Sequence, residues 1–100
     1  MRYIIVSFAI EREGDYYVAK CIELETSSFG CTKEEAIKNL SDATALYLNT
    51  LEDLGERQQV LEQKGIPVYQ DEPGSREITY PASKDRSVGS AVFPLQAAAV

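Results

Sequence analysis

Residues 2–10 (RYIIVSFAI) alternate apolar side chains on both faces, Ile4, Val6 and Phe8 on one and Tyr3, Ile5 and Ala9 on the other. Dense β-branched and aromatic residues at period two predict a strand, and apolar residues on both sides predict a central or covered one. Glu11-Arg12-Glu13-Gly14-Asp15 reads as a charged turn, with glycine supplying the positive φ of a tight hairpin. Residues 16–22 (YYVAKCI) then form a second strand, antiparallel to the first. After a break at Glu23-Leu24-Glu25, residues 26–31 (TSSFGC) read as a third strand, where Gly30 marks a bulge or a close approach. Three strands in succession make a meander.

The period then changes. Thr32-Lys33-Glu34-Glu35 matches a capping box, and two acids in the first turn complement the helix dipole. Ala36, Ile37, Leu40, Ala43, Tyr47, Leu48, Leu51 and Leu54 fall on one arc about 140° wide. Glu34, Glu35, Lys38, Asp42, Asn49, Glu52 and Asp53 occupy the other side, so one face packs on the meander. Leu46 breaks the pattern by projecting among the polar residues, either as a tolerated surface leucine or as a contact with a partner or with the chain's own C-terminal part. Gly55 interrupts the helix, and residues 56–64 resume it with Val60 and Leu61 as its apolar anchors. Gly65 followed by Pro67 stops it.

Residues 66–69 and 77–80 are short β-like runs around a turn at Asp71-Glu72-Pro73-Gly74. Residues 91–95 suit an edge strand, since Pro94 bars a central one, and residues 96–100 are expected to fray. The fold class is therefore α+β: an antiparallel β-β-β-α-β unit with a short second helix and a C-terminal strand-like extension. Residues 1–70 make the domain, and 71–100 pack on or next to it without forming another.

Composition narrows the chemistry. The 100 residues contain no histidine, which excludes Ser-His-Asp and Cys-His nucleophile systems, His-ligated zinc and a His general base. Two cysteines cannot supply a four-thiolate zinc cage, and no catalytic, cofactor-binding or metal-binding residue is assigned. Cys21 and Cys31 read as free thiols. With no signal peptide and no run long enough to span a bilayer, a reducing, cytoplasmic setting is expected. The net charge of -6 disfavours direct contact with nucleic acid. Residues 1–65 hold 12 acids against 7 bases, so the acidity belongs to the domain and not to a tail.

Taken in order, residues 3–10, Gly14-Asp15-Tyr16-Tyr17-Val18-Ala19, Glu23-Leu24, Gly30-Cys31-Thr32-Lys33-Glu34-Glu35-Ala36-Ile37-Lys38-Asn39-Leu40 and Ala45-Leu46-Tyr47-Leu48 resemble the HicB family of antitoxins. The resemblance covers roughly residues 1–55 and rests on the ordered set rather than on any single piece. It implies a truncated RNase H-like fold and a non-catalytic module that masks a small, basic, mRNA-cleaving toxin of the HicA type. The sequence departs from the family pattern where Ile22 and Glu25-Thr26 replace prolines and a glycine around Glu23-Leu24. Residues 71–100 carry Pro73, Pro81, Pro94 and three basic residues without helical periodicity, so no DNA-binding module is expected.

The residues proposed to meet such a partner are Asp15, Glu23 and Glu25, whose charge would steer a basic chain, and Leu46 as an apolar contact. Unpaired sheet edges make a homodimer or higher homo-oligomer the expected state. Two alternatives stand beside this reading. One is an orphan domain with another regulatory ligand. The other is a metal-dependent, RNase H-like nuclease drawing on Asp15, Glu23, Glu25 and Asp42.

Overall fold

The computed structural model of the chain describes residues 2–70, 78–83 and 86–95. It opens with the meander β1 (Arg2–Glu13), β2 (Tyr16–Cys21) and β3 (Ser27–Gly30), followed by α1 (Lys33–Asp53) and α2 (Arg57–Gln63). A hairpin of β4 (Ile78–Ser83) and β5 (Arg86–Leu95) completes one antiparallel sheet in the order β3-β2-β1-β5-β4. The class is α+β. The β1 ladder runs on through Arg12↔Tyr17 and Glu13↔Tyr16, which shortens the expected charged turn to Gly14-Asp15. Gly14 takes a positive φ of 62° there.

β1 is central, as its two apolar faces require. Ile4, Val6, Phe8 and Ile10 on one face are buried with Ala19 and Cys21 of β2 and Leu95 of β5. α1 covers this face through Ala36, Leu40 and Leu48, and Leu61 and Ile66 extend the same cluster. The helix begins where the capping box requires, with the Thr32 hydroxyl accepting the Glu35 amide at 3.1 Å. Its most buried line also includes Thr44, whose hydroxyl shares a 2.9 Å hydrogen bond with Thr26. That bond ties the β2–β3 loop to the helix without leaving a buried polar group unpaired.

Two expectations are corrected. Leu54, placed on the apolar arc by periodicity, is 65% exposed. It is the C-cap residue, where the chain turns out of α1 toward Gly55, so it no longer faces the sheet. The last strand is also internal rather than an edge, pairing with β1 from Arg2↔Leu95 to Glu11↔Arg86 and with β4 on its other side. The proline rule survives at the level of the residue. Tyr3 directs both backbone groups to Tyr69, at 2.8 Å each, so Tyr3↔Pro94 is a pair without mutual hydrogen bonds. Among the described residues β4 pairs with β5 no further than Ile78↔Ser90, so none of them asks a ladder bond of the missing Pro94 N–H. The run at 66–69 contributes one bridge, Tyr3↔Tyr69, and no strand. The expected turn at 71–74 and the frayed residues 96–100 lie outside the described residues.

Candidate functional site

The residues proposed from sequence do not form one patch. Asp15 is exposed in the β1–β2 turn, at the opposite end of β2 from Glu23 and Glu25. Glu23 is engaged internally: its carboxylate accepts the Ser7 N–H at 2.7 Å, while the Ser7 carbonyl accepts from Ile22 at 2.8 Å. The side chain thus continues the ladder where β2 has ended. Glu25 holds a left-handed φ of 60° in the β2–β3 loop, and its exposed carboxylate lies 3.6 Å from Lys64 Nζ. Leu46 stands apart on α1 and is 68% exposed.

Around Leu46 the helix is acidic. At 100° per residue, Glu35, Asp42 and Asp53 share its outward direction to within roughly 40°, and Asn49 lies about 60° from it. Glu35, Asp42 and Asp53 are exposed and Asn49 is half-buried. Lys38 meets Asp42 at 3.4 Å, an exposed pair that partly screens one acid and adds little stability. Over its length α1 carries five acids, Glu34, Glu35, Asp42, Glu52 and Asp53, against Lys33 and Lys38. Five acids against two lysines leave this helix with half of the chain's net charge of -6. An exposed apolar side chain on an acidic helix side suits a basic protein surface with a hydrophobic anchor.

The second surface is the sheet face turned away from the helices. The register places Tyr16 and Val18 of β2, Phe29 of β3, Tyr3, Ile5 and Ala9 of β1, and Val88 and Val92 of β5 on it. Ile22 continues the β2 alternation onto the same face opposite Ser7. Phe29, Ile22 and Tyr16 are 66%, 55% and 46% exposed, with the Tyr16 and Phe29 rings edge to face at 5.8 Å. Among the described residues, both helices pack on the opposite face. This surface could have been found from sequence by carrying the period-two reading across β2 and β3, which sends Tyr16, Val18 and Phe29 to one side.

A cleft of about 490 Å³ lies where α2 and the 66–68 segment meet the ends of β1 and β5, lined by Arg2, Arg57, Leu61, Ile66 and Leu95 among others. Arg57 is buried there and meets Glu52 at 3.2 Å. Periodicity missed it, because a long side chain can fill an interhelical gap from a position that looks polar. The remaining carboxylates do not converge: Asp42 is on the solvated helix side, Glu23 caps Ser7 and Asp15 is at the hairpin tip. Among the described residues, no three Cys, Asp or Glu side chains are grouped to hold a metal ion, and no helix is long and apolar enough to cross a membrane.

Both cysteines are free thiols. Burial pushes the Cys21 thiol up from its ordinary range, and the charge of Glu23 adds to the effect, while hydrogen bonds from Leu24 and Thr26 oppose it. Cys31 is exposed. No family model, curated protein or solved structure matches this chain.

Proposed function

We propose that this chain is a non-catalytic protein-binding module of the HicB antitoxin type, which acts in the cytoplasm by covering a small, basic, mRNA-cleaving toxin of the HicA type. The observation that carries the reading is Leu46, exposed on the same outward line of α1 as Glu35, Asp42 and Asp53. The acidic helix side steers a basic partner to the surface, and the leucine contributes the apolar contact that slows its release. Asp15 and the exposed Glu25 add to the long-range field from either end of β2. Glu23 contributes charge with one carboxylate oxygen already engaged by the Ser7 N–H. The module works by occlusion and needs no cofactor and no contact with nucleic acid.

Co-expression with a HicA-type toxin tests this directly. The wild-type chain should relieve growth arrest and co-purify with the toxin. Leu46→Asp should weaken the complex about tenfold or more, chiefly through faster dissociation. Asp42→Lys with Asp53→Lys should slow association and flatten its salt dependence. A wild-type chain that neither rescues growth nor binds the toxin would sink the antitoxin reading. Binding indifferent to all three substitutions would sink its placement on α1.

A further inference from the structure

We propose that the helix-free face of the sheet is the surface on which two copies of this chain meet. The inference does not rest on the antitoxin reading, since it uses the opposite side of the molecule. Four observations carry it. First, the face has the composition of an interface core, with Phe29, Ile22 and Tyr16 exposed beside half-buried Val18, Ile5 and Val92. Exposing aromatic and β-branched side chains together is unfavourable unless something covers them.

Second, the face is electrically balanced although the chain carries -6. Its charged strand residues are Glu11, Glu13, Lys20 and Arg86, two of each sign. Glu11 and Arg86 pair with each other at 3.3 Å. Glu13 and Lys20 have no ion-pair partner among the described residues, and an isologous contact lets each meet the opposite charge of the other copy. A basic partner would find no excess of acid here, whereas a second acidic copy meets no net repulsion.

Third, the size fits. A strand residue occupies about 16 Å² of sheet, so the five strands present a flat footprint of roughly 600 Å². Side chains roughen that footprint toward the ~800 Å² per partner typical of a stable interface.

Fourth, edge pairing is obstructed. Asn39 Nδ2 donates at 2.8 Å to the Phe29 carbonyl, on the outward side of β3, and Pro81 lacks a donor on β4. The edge-to-edge dimer that unpaired strands would suggest is therefore disfavoured at both ends of the sheet, and the face is the surface left to be covered.

Analytical ultracentrifugation of the full chain, from about 1 to 200 µM, tests the proposal because a dimer shows mass-action dependence on concentration. The expected result is a wild-type dimer across most of that range. Ile22→Asp and Phe29→Asp alter exposed side chains, so each should raise the dimer dissociation constant at least about tenfold with an unchanged far-UV spectrum. Leu46→Asp, on α1, should leave the dimer intact. A wild-type monomer at the highest concentration would overturn the proposal. So would a dimer that survives both sheet-face substitutions, or one that Leu46→Asp dissociates as readily.

Discussion

Cys21 ends β2 beside Phe8 of β1, with its thiol enclosed on the face that α1 covers, while Cys31 is exposed just beyond the end of β3. A thiol reagent near neutral pH should modify one cysteine quickly, Cys31, and reach Cys21 only on unfolding. The same burial makes stability depend on pH. The Cys21 pKa is raised in the folded state, so folding is unaffected well below the ordinary thiol range of about 8.5 and loses stability as pH rises through and above it. The loss contributed by this one group is at most about 1.4 kcal/mol per pH unit. Cys21→Ala should remove that component, measured as the difference in urea midpoint between the two proteins at pH 7 and pH 10. An identical difference at both values would show that the thiol is not held protonated. Thr44 shows burial acting on a neutral group: its hydroxyl is fully enclosed and satisfied by Thr26 at 2.9 Å.

At the scale of elements, β3 and α1 meet closely at Gly30. A Cβ built on Gly30 would lie 2.5 Å from the Ala36 nitrogen and 2.8 Å from the Glu35 carbonyl carbon. Both are backbone atoms of the first helical turn, which the Thr32 cap fixes, so they cannot move aside cheaply. Gly30→Ala should destabilise the fold by roughly 1–3 kcal/mol, read as a lower urea midpoint at constant slope. An unchanged midpoint would mean the junction is looser than it looks. The glycine could be flagged from sequence as a bulge or a close approach, and the structure selects the close approach. Asn39, nine residues after Gly30, could not be read this way. Its amide is directed at a strand carbonyl, a relationship between elements that no helical period expresses.

For the whole molecule, the division into a domain at 1–70 and an extension at 71–100 meets a sheet that runs through both. β5 pairs with β1 along most of its length and contributes Leu95 to the core. A chain ending at residue 70 would leave the β1 edge unpaired and open the core at Leu95. It should lose cooperative urea unfolding and amide exchange protection along β1. A truncated chain that still unfolds cooperatively would show that β4 and β5 are dispensable. The two surfaces also separate at this scale. Acidity and Leu46 lie on the helix layer, while exposed apolar side chains with balanced charge lie on the sheet. The molecule therefore has room for two different contacts at once.

The meander, the capped helix, the helix stop at Gly65 and the exposure of Leu46 are all legible in the sequence, because each follows from local periodicity, turn chemistry or capping. So is the absence of histidine chemistry, which is a matter of counting. What periodicity could not decide was where distant segments meet. It could not place β5 between β1 and β4, turn Glu23 inward to Ser7, bury Arg57 beside Glu52 or aim Asn39 at the edge of β3. Each of these depends on loop closure and on filling the space left by other elements, and those terms enter only when the chain is assembled. Sequence supplied the amphipathic pieces of this protein, and tertiary packing decided which faces they bury and which they leave exposed.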